Sequence, residues 1–353
     1  MTAAQFFSPV SSPSTIFANL PAILGYYPHE SVILLGFLRQ EPDRFTLGPI
    51  LRSDCAAIDH DDGRAALHSA FTHMENVRAE FMVALIVSTD PRRRFRSARR
   101  LYEVDRERVG EVHVVACFEA VEICTREPYW LSWSGTDGVL PEAWRCGLIG
   151  NVVAAPAMEP FRRKGELPDL DRESAYRFFD HGNPHMDDEQ RESIELRINE
   201  NTPDLLREVA DAKHSGHLEG WREEWRETMI QLLAEVARLS KAELSAREDL
   251  LARLGLILSV DATRDLFMTL IGEHSEEVLA ASIVAARTFR GVIRCNALCA
   301  YSAASIVEGF PMRLYPALVA SLDEDPGHSL THLLLRSGMT GAFEKIVSAV
   351  TRS

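Results

Sequence analysis

The hydrophobic positions near the start of the chain predict a helix, a turn and a central β-strand. Residues 14–24 have the spacing of a short amphipathic helix, and the segment GYYP after it marks a turn. The next run, residues 32–38, is almost wholly apolar, which is typical of a strand buried on both faces, as in a parallel sheet covered by helices. Residues 45–51 predict a second strand that returns beside it as a hairpin, with the turn at 41–43.

Strand and helix patterns alternate over the rest of the first 160 residues. The predicted elements are a polar loop at 59–63, a helix at 64–78, a strand at 81–87, a helix at 91–109, strands at 112–118, 119–125 and 129–133, and a short helix or turn at 151–158. This order predicts an α/β fold in which helices sandwich an N-terminal mixed β-sheet.

The second half of the chain has no convincing strand pattern and is predicted to be an all-α domain. Three- and four-residue spacing places six apolar side chains on one helix face: Trp221, Trp225, Met229, Leu232, Val236 and Leu239. Capping boxes are predicted at Asp187 with Gln190 and at Ser245 with Glu248. The predicted organisation is a flexible arm at 1–13, an α/β domain at 14–160, a linker at 161–186 and an all-helical domain at 187–353.

Small residues near the C-terminus predict a closely packed, repeat-like helix pair. Helical runs at 291–308 and 312–336 carry alanines at close spacing and end in an acidic, proline-marked turn, a pattern similar to one unit of a tetratricopeptide-type repeat. We expect such a pair to present a groove to a protein or peptide partner. One unit does not predict an extended solenoid.

Composition narrows the class of protein. The chain is 46% hydrophobic and 25% charged, as in an ordinary globular protein, and its net charge of −14 disfavours a whole-surface attraction to nucleic acid or anionic lipid without excluding a local basic patch. The six cysteines include no CxxC pair and predict reduced thiols. With no signal-peptide pattern and no apolar segment of about 20 residues, we expect a cytoplasmic protein without a membrane partner.

Acidic residues at the ends of predicted strands form the candidate ligand pocket. Asp54, Asp90 and Glu119 would lie beyond strand ends, where open α/β sheets bind ligands, and such carboxylates can hold Mg²⁺ with a phosphate substrate. Aspartates in this position also commonly cap the next turn or helix of the chain. His29 and Glu30 stand at the entry to the central strand, where a base with its orienting carboxylate or a simple turn role is expected.

The strongest charge feature is the segment PRRRFRSARR at residues 91–100. Its candidate contacts to an anion or phosphate are Arg92, Arg93, Arg96, Arg99 and Arg100. Arginines at a helix start oppose the helix dipole, and a bound anion would relieve that conflict. The alternative is a solvated face whose arginines pair with nearby surface acids.

No metal site or cofactor is predicted. The sequence has no GxGxxG, P-loop, GxSxG or HExxH motif. Two stretches rich in possible ligands, Asp59 to Asp62 and His181 to Asp188, lack zinc-site spacing and are interpreted as solvated loops. Cys295 and Cys299 lie one turn apart on an apolar helix and are interpreted as core residues.

Four segments together carry a family resemblance. They are PAILGYYPHESVILLGF, the RSD at residues 52–54, the STDP at 88–91 and ALVASLDEDPGHSLTHLL near the C-terminus. In this order they resemble the actinobacterial family catalogued as domain of unknown function 4192. The resemblance implies a cytoplasmic actinobacterial protein and no particular reaction.

Three functions remain open from the residues. The preferred one is a non-catalytic module that binds a protein or another ligand. The alternative is an enzyme that acts on a phosphorylated or nucleotide small molecule at the strand ends. The third is nucleic-acid binding through the helix that carries Arg92 to Arg100.

Overall fold

A computed structural model describes residues 12–41, 44–135 and 140–339 together with Ile346 and Ser348. The chain divides into two compact units between Arg172 and Glu173. The predicted arm at residues 1–11 and the turn at 42–43 lie outside the described residues, as does most of the chain after residue 339.

The first unit is built on a mixed sheet, as predicted. Its described strands are β1 (Ser31–Glu41), β2 (Arg44–Asp54), β3 (Phe81–Val87), β4 (Val114–Ala120), β5 (Pro128–Ser134) and β6 (Cys146–Leu148). They lie side by side in the order β2-β1-β3-β4-β5-β6. β3 and β4 are parallel, and the other neighbouring pairs are antiparallel.

The central position of β1 and its hairpin pairing with β2 are confirmed, whereas the parallel pairing that its apolar run suggested is not found. Residues 31–36 are buried, and β1 pairs antiparallel with both β2 and β3. A continuous apolar run indicates that a strand is buried on both faces, whereas the direction of its neighbours depends on how the chain connects them. The hairpin reverses the chain between β1 and β2, and the helical segment at 55–76 then leads to β3, which runs in the same direction as β2. The apolar run itself could not indicate these directions.

The described part of the first unit contains five α-helices: α1 (Pro13–Leu24), α2 (Cys55–Asp59), α3 (Asp61–Asn76), α4 (Pro91–Glu107) and α5 (Glu159–Lys164). Ser12 caps α1, and Gly25 ends it in the left-handed conformation that glycine adopts freely. The polar loop predicted at 59–63 is wrong, because α2 and α3 meet there. Ile58 and Phe71 from these helices are buried in the core. The segment is polar only on its exposed side, so it forms helices that pack on the sheet and not a loop.

The short β-elements were the least predictable. The strand predicted at 119–125 is wrong beyond Ala120, where β4 ends and a turn begins. β6 was missed because three residues carry no usable alternation, and only its pairing with β5 identifies it. The short helix or turn predicted at 151–158 contains a 3₁₀ turn at Pro156–Met158.

The described part of the second unit consists of helices joined by turns and loops, and it contains no strand. Its helices are α6 (Arg172–Arg177, beginning at the division), α7 (Asp188–Ser215), α8 (Leu218–Val236), α9 (Lys241–Ser245), α10 (Glu248–Ser259), α11 (Asp261–Thr269), α12 (Ile271–Thr288), α13 (Gly291–Val307), α14 (Leu314–Glu324) and α15 (Ser329–Met339). Met229, Leu232 and Val236 on the predicted face of α8 are buried in the core of this unit.

One predicted capping box is confirmed and the other is wrong. The Asp187 carboxylate caps α7 by accepting from the backbone N–H of Gln190, and Gln190 Oε1 accepts from the backbone N–H of Asp187. The second box is formed by Ser240 with Glu243 at the start of α9. Ser245 instead ends α9, and its hydroxyl donates to the carbonyl of Lys241. The sequence offers two matching spacings five residues apart, and the short helix between them decides which one is used.

A buried polar network joins α10, α11, α13 and the start of α15. Asn296 Nδ2 donates to the carbonyl of Leu258 at 2.8 Å, so its Oδ1 is the acceptor for Arg264 Nη1 at 3.2 Å and His328 Nε2 at 3.1 Å. His328 Nδ1 then accepts from the hydroxyl of Thr331 at 2.7 Å. These contacts assign the neutral Nε2–H form to a histidine with 8% exposure.

Acidification should destabilise the second unit through His328. Burial, with a smaller contribution from the charge of Arg264, lowers the pKa of His328 below its ordinary value. The unfolded chain titrates near pH 6.5, so it binds more protons than the folded protein below that pH. Stability from this group is therefore present above about pH 6.5 and is lost as the pH falls through the lowered folded pKa. Amide hydrogen exchange in α13 between about pH 7 and pH 5 should show falling protection, after correction for intrinsic exchange rates.

A His328→Gln variant separates this effect from other titrating groups. Glutamine is always neutral, so the variant should lose less protection in α13 over the same pH range, even if its protection at neutral pH is lower. An unchanged pH dependence in the variant would contradict the role of His328.

Candidate functional site

Several strand ends meet at one edge of the sheet in the first unit. Ser31 begins β1 and pairs with Asp54 at the end of β2 and with Val87 at the end of β3. Val87 also pairs with Ala120, the last residue of β4. The carboxyl ends of the parallel strands β3 and β4 therefore lie beside the entry to β1, which is the position where open α/β sheets usually bind ligands.

The loop between β3 and α4 encloses the carboxylate of Glu30. This carboxylate accepts from Ser88 Oγ at 2.8 Å, from the backbone N–H of Thr89 at 3.1 Å and from Arg93 Nη1 at 2.6 Å. Glu30 has a φ of 46°, a left-handed conformation that costs a non-glycine residue roughly 1 kcal/mol or more. The contacts of its carboxylate offset this strain.

The Glu30 carboxylate is held in its charged form. Partial burial alone would raise the pKa of Glu30, but hydrogen bonds from Arg93, Ser88 and Thr89 outweigh burial and leave it below its ordinary value. The sequence placed Glu30 among the pocket residues and Arg93 among the anion contacts, and the structure joins the two. The imidazole of His29 is exposed, while its carbonyl accepts from the hydroxyl of Ser31.

The three pocket carboxylates predicted at strand ends each have a separate partner. Asp90 caps α4 by accepting from the backbone N–H of Arg92 at 2.8 Å, which lowers the pKa of Asp90. Asp54 pairs with Arg52 at 2.7 Å. Glu119 is buried and lies 3.4 Å from Arg94. The capping alternative therefore holds for Asp90.

A shared metal site gains no support from these positions. Within the described residues, the His, Cys, Asp or Glu groups whose ligand atoms lie within 4.8 Å of one another are those of Glu122, Cys124 and Glu127, in the turn after β4. That set does not include Asp54, Asp90 or Glu119. Burial and the two glutamates raise the pKa of Cys124, so its thiol is protonated at neutral pH.

A shallow, open depression lies between α2 and α4 beside this edge. Its volume is about 450 Å³, and the residues that line it are Ala56, Asp59, His60, Arg93 and Arg96. Arg96 Nε lies 3.0 Å from Asp59 Oδ2, and both side chains keep solvent contact. Two of the five predicted anion contacts, Arg93 and Arg96, are thus brought together with a histidine on one concave surface.

The other predicted anion contacts lie outside this lining. Arg92 is exposed on the first turn of α4, and Arg100 is partly exposed. Arg99 pairs with Glu103 one turn later, at 2.8 Å. The alternative of a solvated face with surface pairs therefore describes Arg99.

Arg94 is a residue that sequence reasoning missed. Its guanidinium donates to the carbonyl of Ser88, pairs with Glu119 and lies 5.1 Å from the centre of the Trp130 ring. A signal was present, because Arg94 lies four and seven residues before the buried Ala98 and Leu101, on the helix face that packs against the sheet. Helical spacing therefore separates this arginine from its exposed neighbours.

Cys55 lies at the start of α2 and is fully buried. Burial raises the pKa of its thiol to about 11, so the thiolate is scarce at neutral pH. This cysteine therefore belongs to the core and does not supply a nucleophile to the depression.

The ligand-rich stretch near the start of the second unit is used structurally. Asp187 caps α7, and Asp188 pairs with Arg191 at 2.7 Å. His185 is exposed, and burial lowers the pKa of the partly buried His181. In the first unit, Asp59 and His60 occupy the junction of α2 and α3 and face the depression, which the interpretation as a solvated loop did not anticipate.

The small residues near the C-terminus serve helix packing. Ala297, Ala300, Ala304 and Ala317 are fully buried, and α13 packs against both α12 and α14. Cys295 and Cys299 are buried in the same region, as predicted. A groove for a protein or peptide partner on this helix pair stays a prediction.

Comparisons with known proteins give one match. The model of a family described as Domain of unknown function (DUF4192) matches residues 13–342. No curated protein and no solved structure matches the chain. Among the helices of the described residues, none combines the length and apolar character needed to cross a membrane.

Proposed function

This chain belongs to the family described as Domain of unknown function (DUF4192), whose description names no reaction, and from that premise we propose that the protein binds a small anionic ligand carrying a phosphate ester. The proposed site is the depression between α2 and α4. The observation that carries the proposal is the convergence of Arg93, Arg96 and His60 on one concave surface between α2 and α4, beside the sheet edge where β3 ends.

The chemistry of the lining favours a phosphate group. A guanidinium has five N–H donors in a fork that matches phosphate oxygens, and the contacts of Arg93 with Glu30 and of Arg96 with Asp59 engage only part of each fork. Because Asp90 already accepts from the backbone at the start of α4, a ligand would be held by side chains. It would also weaken the repulsion between these arginines and the helix dipole.

The Glu30 contacts support the same chemistry. A hydroxyl, a backbone N–H and a guanidinium already surround one carboxylate at this edge of the sheet. These donors are of the kind that hold phosphate oxygens in other α/β proteins. Glu30 also fixes the direction of Arg93, so we assign it a positioning role beside the depression.

The described groups favour binding over turnover. Cys55 is protonated and buried, and Glu119 is occupied by Arg94 beneath the sheet edge. Neither group is placed to act as a nucleophile or base in the open depression. We therefore propose a non-catalytic ligand-binding role, as the preferred interpretation of the sequence does.

Removing the two lining arginines should weaken anion binding. Charge-assisted hydrogen bonds contribute roughly 1.5–3 kcal/mol each, so Arg93→Gln with Arg96→Gln should reduce affinity for pyrophosphate at least about tenfold. Isothermal titration calorimetry with pyrophosphate and inorganic phosphate measures the effect directly. The wild-type chain should bind pyrophosphate more tightly than inorganic phosphate, because pyrophosphate carries more negative charge.

A matched control exists on the same helix. Arg99 is equally cationic but pairs with Glu103 away from the depression, so Arg99→Gln should leave pyrophosphate affinity within about twofold. Equal losses in the control and in the double variant would show a diffuse charge effect and contradict a built site. No measurable binding of either anion by the wild-type chain would also refute the proposal.

A further inference from the structure

The exposed side of α4 carries a stripe in which arginine and aromatic side chains alternate. We call it the arginine–aromatic stripe, and its members are Arg92, Phe95, Arg99, Tyr102 and Arg106. Their spacing of three, four, three and four residues places them along one side of the helix. All five are exposed, and over about 14 residues the stripe extends roughly 21 Å.

Phe95 is the most unusual member of the stripe. Its side chain is 65% exposed, although Ala98 and Leu101 on the same helix are buried. An aromatic ring in this exposed position contributes no packing to the core of this unit. It does offer a flat apolar surface to a partner.

The stripe has a fixed edge where α4 meets β5. Tyr102 packs edge-on against Trp133 with ring centres 5.2 Å apart, and Arg106 lies 5.3 Å from the centre of the Tyr102 ring. Trp133 Nε1 donates to the carbonyl of Ala98 at 3.1 Å. These contacts hold the tyrosine in place before any partner arrives, which reduces the entropy lost on binding.

The local charge is opposite to that of the whole chain. The segment forming α4 contains seven arginines and three acidic residues, whereas the protein has a net charge of −14. Glu103 offsets part of this charge by pairing with Arg99, and hydrogen bonding to Arg99 lowers the pKa of Glu103. Such a surface attracts a polyanion at short range, while the net charge opposes attraction at long range.

We propose that the arginine–aromatic stripe is a docking surface for single-stranded nucleic acid. Proteins that bind single strands combine cationic contacts to the backbone with aromatic side chains on which bases stack, and the alternation along α4 provides both. An acidic protein partner would use the arginines and leave Phe95 without a role. At about 3.4 Å per stacked nucleotide, the stripe matches a tract of roughly six nucleotides.

The test is fluorescence anisotropy of the full chain with labelled oligo(dT) and oligo(rU) of about 15 nucleotides at low salt. Phe95→Ala should weaken binding by roughly tenfold, because one stacked base is lost. Arg92→Gln, Arg99→Gln and Arg106→Gln together should reduce the slope of log affinity against log salt by about two. These side chains are exposed, so circular dichroism should show that each variant keeps its fold.

Two matched controls separate the stripe from general surface effects. Leu167 is also 65% exposed in the first unit, and Leu167→Ala should leave affinity unchanged. Arg44→Gln with Arg145→Gln and Arg177→Gln removes the same charge from exposed positions elsewhere and should leave the salt slope unchanged.

Three results would overturn the assignment. One is no binding by the wild-type chain at low salt, and another is an equal loss in the stripe variants and their controls. The third is competition by polyglutamate as effective as unlabelled oligo(dT), with Phe95→Ala without effect, because this would assign the stripe to an acidic protein partner. Since the readout is a polymer and the key residue is Phe95, failure here leaves pyrophosphate binding in the depression untouched.

Discussion

Replacing Arg94 with methionine should lower the free energy of unfolding of the first unit by about 3–5 kcal/mol. Arg94 and Glu119 are both buried, and the variant would leave the Glu119 carboxylate without its cation. It would also remove a donor from the carbonyl of Ser88 and the cationic contact with Trp130. Urea denaturation, with amide hydrogen exchange in β4 as the local measure, should report the loss.

A second substitution tests whether the unpaired charge is the cause. Glu119→Gln in the Arg94→Met background removes the buried charge, so it should recover part of the lost stability. The exposed Arg99→Met is the control on the same helix and should cost well under 1 kcal/mol. A loss at Arg94 no larger than at Arg99, or no recovery in the double variant, would show that the buried pair contributes little.

Arg94 also shows how far the sequence could predict this helix. The six arginines between 92 and 100 correctly predicted a basic helix, and Pro91 correctly predicted its first residue. Charge alone could not sort the arginines into those facing the depression, the solvent or the sheet. Helical spacing relative to Ala98 and Leu101 would have identified Arg94 as inward-facing, since burial follows position on the helix more closely than residue type.

The sheet illustrates a different limit. The apolar runs at 32–38 and 81–87 correctly predicted β1 and β3, because burial on both faces leaves a local trace in the sequence. The antiparallel pairing of β1 with β3 and the existence of β6 depend on contacts between separate segments of the chain, which no local pattern in the sequence indicates. The all-helical second half was predictable because helices depend mainly on local spacing.

The candidate site depends on contacts that no local pattern encodes. Glu30 and Arg93 are 63 residues apart, and only the adjacency of β1 and β3 brings them together. The sequence pointed to both residues but for unrelated reasons. His60 faces the depression because α2 packs against α4, a contact that the predicted loop at 59–63 would not have provided.

Replacing Asn296 with alanine should lower the free energy of unfolding of the second unit by about 2–4 kcal/mol. The variant leaves the carbonyl of Leu258 and the Nε2–H of His328 buried without partners, and each such group costs about 1–3 kcal/mol. Arg264 would lose one of its contacts but keep Asp261 and Asp265. Hydrogen exchange in α10 and α13 should measure the loss where the network lies.

Ser302 is the matched control, since it is equally buried on α13 but donates only to the carbonyl of Leu298 in its own helix. Ser302→Ala removes a donor without orphaning a distant group, so it should cost about 1 kcal/mol or less. If Asn296→Ala cost no more than Ser302→Ala, the network would contribute only local hydrogen bonds. A larger cost that shrinks when His328→Leu is added would show that the unpaired imidazole is its source, because the two side chains are then energetically coupled.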